Sequence, residues 1–124
     1  MKTAIIIISD PKSNNDESNG RLFNALSLAQ ESLAAGDQVE VAFIGAGTRW
    51  PAELTKVGHP FNGLYNSVRE AVTGVSCGCA AAFGATEGAK ACGVPEVKNN
   101  PVTGTPGLLS VRQYLVDGWH TLVF

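Results

Sequence analysis

Lys2-Thr3-Ala4-Ile5-Ile6-Ile7-Ile8-Ser9-Asp10 is the stretch that decides how the chain reads. From Ala4 to Ile8 five apolar residues follow one another with no polar break, and four of them are β-branched isoleucines. A strand with one wet face alternates apolar and polar side chains, whereas a strand covered on both faces does not. This run therefore predicts a central strand of a parallel sheet. Ser9, Asp10 and Pro11 end it, because proline has no amide to give to the ladder.

Outward from that strand, residues 11 to 20 form a polar loop longer than most strand-to-helix connections, either a binding loop or a mobile one. It holds neither G-x-x-x-x-G-K-[ST] nor G-x-G-x-x-G, so no nucleotide motif stands here. Between Arg21 and Ala35, Leu22, Leu26, Ala29 and Leu33 are spaced four, three and four residues apart, with Phe23 at the margin of the same helical face. Ser18 or Asn19 is placed to cap its start, and Gly36 to follow its end. Gln38 to Ile44 returns as a second strand after a helix of the right length for a right-handed crossover.

The remaining elements are shorter. Gly45-Ala46-Gly47-Thr48 and Arg49-Trp50-Pro51 lead into a helical turn over 52–56, and Gly58-His59-Pro60 breaks the chain. Leu64, Tyr65, Val68, Ala71 and Val72 take helical spacing up to Gly74, and a third strand follows over 75–77. Helical pieces at 80–83 and 87–92 are separated by Gly84, and a fourth strand is expected over 94–97. Asn99 to Pro106 is turn-rich; Leu108, Leu109, Val111, Arg112, Leu115 and Val116 give a last amphipathic helix, and Trp119 to Phe124 a last strand. This alternation predicts a single α/β domain over 1–124, a three-layer α/β/α sandwich with a mostly parallel sheet of about five strands.

Composition narrows the function classes. The formal net charge is −2 and the lysines and arginines are scattered, which argues against a nucleic-acid partner. No apolar run approaches the roughly 20 residues that a bilayer requires, and the first follows a single lysine without a signal-peptide core, so a cytoplasmic protein with no membrane partner is expected. Three cysteines, an odd number, point to free thiols rather than a disulfide framework.

The residues with chemistry to offer concentrate at Gly74-Val75-Ser76-Cys77-Gly78-Cys79-Ala80-Ala81-Ala82-Phe83-Gly84. This reads as a strand-to-helix turn at the carboxyl edge of the sheet, where a helix N-terminus favours thiolate over thiol. Gly78 leaves the backbone free to aim Cys77 or Cys79 outward; the plainer alternative is that both are small buried residues in a tight turn. Three cysteines and two distant histidines fall short of a four-ligand zinc site, and no metal is expected. Cys92 reads as core or helix end, and His120 as packing within the last strand. Asp10 sits where α/β proteins place polar site residues, or else caps its loop or pairs with Lys12. His59 is either a proton shuttle near the thiols or an ordinary turn histidine. Gly45 and Gly47 either line a pocket with amides or simply permit a turn. Arg49 and Trp50 suggest a contact surface between subunits, with local packing as the alternative for the tryptophan.

In this order, the features resemble those of the DsrE/DsrF-like family, small α/β proteins associated with sulfur relay. The resemblance runs through nearly the whole chain: the strand ending in Ser9-Asp10, the amphipathic first helix, the second strand entering Phe43-Ile44-Gly45-Ala46-Gly47, the Cys77-Gly78-Cys79 turn, and the closing helix and strand. Within the family the chain looks most like single-chain members with a Gly-Ala-Gly-Thr-Arg-Trp segment, here Gly45 to Trp50. The resemblance implies a flavodoxin- or Rossmann-like architecture, no cofactor, assembly into homo- or hetero-oligomers, and a cysteine after the third strand; together with the apolar loops it makes a homo-oligomer the expectation for this chain. That cysteine takes up sulfane sulfur as a persulfide and passes it between donor and acceptor proteins. By position it is Cys79 or Cys77, with Cys79 preferred because it lies nearer the alanine run and so nearer the helix N-terminus. A non-catalytic oligomeric module that binds a small molecule or a protein through Gly45 to Trp50 is the alternative, and a flavodoxin-like cofactor binder, lacking a phosphate loop, is a third.

Overall fold

The isoleucine run forms β1 (Lys2–Ile7), in which Thr3 to Ile7 are all buried. A computed structural model describing residues 1–124 places β2 (Gln38–Phe43) on one side of it and β5 (His120–Val123) on the other, with β3 (Val72–Ser76) and β4 (Glu96–Val97) beyond β2. The order is β4-β3-β2-β1-β5, and all pairs are parallel. Ile7 lies opposite Phe43, and Ile6 opposite Val123 on the far side. β1 is thus the covered central strand that an unbroken apolar run requires.

The two faces of the sheet are filled unequally. Ile5, Ile7, Val41, Phe43 and Val75 join a core of 18 buried residues, with Leu22 and Leu26 of α1 (Asp16–Ala34), Trp50 and Leu54 of α2 (Trp50–Leu54), and Tyr65 and Val68 of α3 (Asn62–Val68). Ala80 of α4 (Cys77–Ala82) and Ala89 of α5 (Thr86–Ala91) complete it. On the other face the buried apolar cluster has just three members, Ile6, Ala42 and Leu109, with Val111 and Tyr114 of α6 (Val111–Val116) packed against it. Right-handed crossovers explain the asymmetry. β1 to β4 step in one direction, which puts their connecting helices on one face, and the return to β5 brings α6 to the other. The chain is a three-layer α/β sandwich whose third layer is one short helix and the loop before it.

Several element ends differ from the sequence expectation, each for a local reason. α1 begins at Asp16 rather than Arg21: the Asn15 side chain accepts the Ser18 amide at 2.8 Å, and Asp16 and Glu17 complement the positive end of the helix. Ser18 is not the cap; its buried hydroxyl donates to the Asp10 carbonyl. Gly36 does follow the helix, at φ 84°. Val72 opens β3 instead of closing a helix, because α3 ends at Val68 and a 3-10 turn (Arg69–Ala71) intervenes. Leu108 and Leu109 are not helical: Leu108 exchanges backbone hydrogen bonds with Asn100, and the Leu109 amide donates to the Ser76 hydroxyl at 3.0 Å. His120 is exposed on β5 rather than packed. No helix is long and apolar enough to cross a membrane.

Two glycines calibrate this packing. Gly20 lies inside α1 with nothing within 4 Å of where a Cβ would stand, so Gly20→Ala should add about 1 kcal/mol of stability through helix propensity. At Gly47 a Cβ would collide with the Ile7 carbonyl and the Ile8 Cα, both backbone, so Gly47→Ala should lose about 3 kcal/mol or more. Thermal unfolding followed by circular dichroism measures both; an unchanged midpoint for Gly47→Ala would contradict the close approach.

Candidate functional site

Because every strand runs the same way, the connections that leave β1, β2 and β3 meet at one carboxyl edge. After β1 the chain enters a 3-10 turn (Pro11–Ser13), after β2 another (Gly45–Arg49), and after β3 it passes directly into α4. One side chain ties the three together. Arg49 Nη1 reaches both carboxylate oxygens of Asp10, at 3.0 and 3.1 Å, while its Nε donates to the Phe83 carbonyl at 3.0 Å and its guanidinium lies 5.3 Å from the Phe83 ring. Asp10 also accepts the Lys12 amide at 2.9 Å. Its carboxylate therefore holds the scaffold, capping its own loop and pairing with Arg49 rather than with the Lys12 ammonium. A partly exposed pair of this kind contributes on the order of 1 kcal/mol. Trp50 is buried beneath, its indole N–H donating to the Ser9 carbonyl at 2.7 Å, and is local packing rather than a contact surface.

The glycines prove to be matters of clearance. Gly45 has φ 54°, and the Gly47 amide is spent on the Ile44 carbonyl at 2.9 Å; neither borders a cavity. At Gly78 a Cβ would stand 2.6 Å from Leu108 Cδ2, and its amide donates to the Gly107 carbonyl at 2.8 Å. Gly78 thus lets the 105–108 segment lie against α4.

The two thiols of the turn have different surroundings. Cys77, the first residue of α4, is buried, and its Sγ lies 3.6 Å from Glu96 Oε2 as a hydrogen-bond donor. Burial first, then the Glu96 charge and that hydrogen bond, push the Cys77 thiol above its ordinary range. It is held as a protonated thiol, the wrong form for a nucleophile. Cys79 is half-buried with its sulfur free of any such partner. Cys77 opens α4 and Cys79 is its third residue, so Cys79 is not the thiol nearer the helix N-terminus, and six residues are too few to sum to a strong axial dipole at either. Cys92 caps the end of α5, its Sγ donating to the Gly88 carbonyl at 3.2 Å.

His59 belongs to another part of the edge. Its Nδ1 accepts the Phe61 amide at 3.0 Å, which assigns the ring proton of the neutral form to Nε2. The ring meets Trp50 edge-on with centroids 6.3 Å apart and lies 5.5 Å from Phe61. His59 lines a cleft of about 650 Å³ together with Lys12, Asn14, Arg49 and Phe61, and none of the three cysteines borders it. The structure thus brings Asp10 to Arg49 and Cys77 to Glu96, but does not bring His59 to the thiols. The polar loop read over 11–20 was the one sequence signal for Lys12 and Asn14, although its second half, from Asp16, belongs to α1. Glu96 had none, since its partner lies across a strand pairing.

Comparison of the chain with protein-family models, with curated proteins and with solved structures returns no match in any of the three.

The contrast between the thiols is directly measurable. In iodoacetamide labelling at neutral pH, followed by peptide mass mapping, Cys79 should react well before Cys77. Glu96→Gln should shift Cys77 labelling to lower pH. A thiol pKa that is higher folded than unfolded contributes stability in full below about 8.5, the unfolded value, and loses it as pH rises through the folded value. Part of the parent's stability loss above that pH should therefore disappear in Glu96→Gln. Equal labelling rates for the two cysteines would refute the assignment.

Proposed function

We propose that this chain is a sulfur carrier of DsrE-like type, a sulfurtransferase-like protein in which Cys79 bears the transferred sulfur. The observation that carries this reading is the split between the thiols: at the carboxyl end of β3, Cys77 is buried on Glu96 while Cys79 stays within reach of solvent. In the uptake step the Cys79 thiolate attacks the outer sulfur of a donor persulfide. The new Sγ–S bond forms as the donor S–S bond breaks, the donor leaves as a thiolate, and Cys79 becomes a persulfide with no net oxidation. An acceptor thiolate then attacks the terminal sulfur and returns Cys79 to its starting form. The reading needs free thiols, and so a reducing compartment such as the cytoplasm. Asp10, Gly45, Gly47 and Gly78 support it as scaffold that holds the edge in shape.

Donor and acceptor proteins are the partners of this reading, and a second copy of the chain is another. Leu115 and Val116 on α6 and Leu122 and Val123 on β5 are exposed, and β5 pairs only with β1, leaving its other edge open. Exposed apolar groups beside an open sheet edge favour association.

Intact-mass spectrometry after incubation with glutathione persulfide tests the carrier reading. The parent and Cys77→Ser should each gain one sulfur atom, removed by a thiol acceptor, and Cys79→Ser should gain none at residue 79 or elsewhere on the edge. A Cys79→Ser protein that still loads sulfur at Cys77 would overturn it. For self-association, light scattering should return a multiple of the 12.9 kDa chain mass, and Leu122→Lys should reduce it. A monomer mass for the parent would remove this part of the reading.

A further inference from the structure

The cleft that His59 lines is independent of the thiols, and its chemistry points to a ligand. It lies between the loop after β1, which brings Lys12 and Asn14, the start of α2, and the His59–Phe61 segment, and Gly84, Ala85 and Gly88 also line it. Three of its lining residues have almost no side chain, and a volume of about 650 Å³ falls within the range of small-molecule sites, ~300–1,000 Å³.

Counting charges sets the ligand's charge. Arg49 is matched by Asp10, and Glu53 by Lys56 at 2.9 Å. The Lys12 ammonium makes no ion pair, so the cleft carries one uncompensated positive charge. Beside it, Arg49 Nη2 is uncommitted, since Nε and Nη1 are spent on Phe83 and Asp10. His59 keeps its Nε2–H as a further donor, because Nδ1 already accepts the Phe61 amide. One cation with neighbouring N–H donors suits a monoanion that accepts hydrogen bonds. A phosphate dianion would leave one charge unmatched, and the Gly47 amide of the nearby turn is already engaged. The rings of His59 and Phe61, tilted 58° to each other, give a flat body one ring to lie on and a second to meet edge-on.

We infer that this cleft binds a small planar monocarboxylate, an aromatic or heteroaromatic acid whose carboxylate meets Lys12 and whose ring lies against His59 and Phe61. The site goes beyond the sulfur-carrier reading and shares no residue with Cys79, so the two stand or fall separately.

Titrations of the full chain by isothermal calorimetry and by backbone amide NMR test it, with benzoate, indole-3-acetate and quinoline-2-carboxylate as probes. At least one probe should bind and shift the amide signals of residues 12, 14, 59 and 61. Lys12→Gln, on an exposed side chain whose loss leaves the fold intact, should weaken that binding about fivefold. Added salt should weaken it in the parent and much less in the variant. Indole-3-acetamide, the neutral counterpart, should bind worse than indole-3-acetate, and Cys79→Ser should bind like the parent. Failure of all three acids, unchanged affinity in Lys12→Gln, or tighter binding of adenosine monophosphate than of the acids would each overturn the inference.

Discussion

Where the chain leaves β2 it turns back against the end of β1, and at residue 47 the two backbones come so close that only hydrogen fits between them. From this approach the remainder of the carboxyl edge follows. It sets Arg49 within reach of the Asp10 carboxylate and the Phe83 carbonyl, and places the Trp50 indole under Ser9. A strand end, a turn and the short helix after β3 are thereby joined through one guanidinium. Moving the turn outward by the width of a methyl group would draw the guanidinium away from the Asp10 carboxylate and the Phe83 carbonyl. The ion pair itself is weak, partly exposed and screened by salt. Its role is to orient groups that backbone packing has already brought together.

The same dependence on distant backbone governs the thiols. Cys77 and Cys79 differ by two positions, yet their surroundings are set by different parts of the chain. β4 pairs alongside β3, with Val75 opposite Glu96 and Ser76 opposite Val97, and this register carries the Glu96 carboxylate to the Cys77 sulfur. The 105–108 segment closes over Gly78 from another direction. A C-x-C pair is thus divided into one enclosed thiol and one accessible thiol by elements some twenty to thirty residues further along the chain.

The architecture was legible because its signals are local. An unbroken isoleucine run can hardly be anything but a doubly covered strand, and the spacing of Leu22, Leu26 and Ala29 marks one face of a helix whatever packs against it. Helix ends were less legible where polar residues compete: Asn15, Ser18 and Asn19 can all cap, and the choice of Asn15 follows from the Ser18 hydroxyl being drawn to the Asp10 carbonyl. Leu108 and Leu109 have helical spacing with Val111 and Leu115, but Asn100 and Ser76 claim their backbone, and neither contact is written in the local pattern. At the edge, the turn position of the cysteines could be read from the sequence, whereas the Cys77 pairing with Glu96 and the grouping of Lys12 with His59 depend on strand order, which no short motif encodes.

The lopsided sheet has a consequence for how such a chain can change over time. Substitutions on the side packed by α1, α2, α3 and α5 meet a crowded interior where even one methylene is felt. The apolar cluster on the side beneath α6 has three buried members, Ile6, Ala42 and Leu109, and the loop before that helix is exposed for most of its length. Drift, insertion or exchange of segments there leaves untouched the interior on the opposite face, whose 18 buried residues hold the molecule in shape. New recognition surfaces have room to arise on one face while the other conserves the architecture.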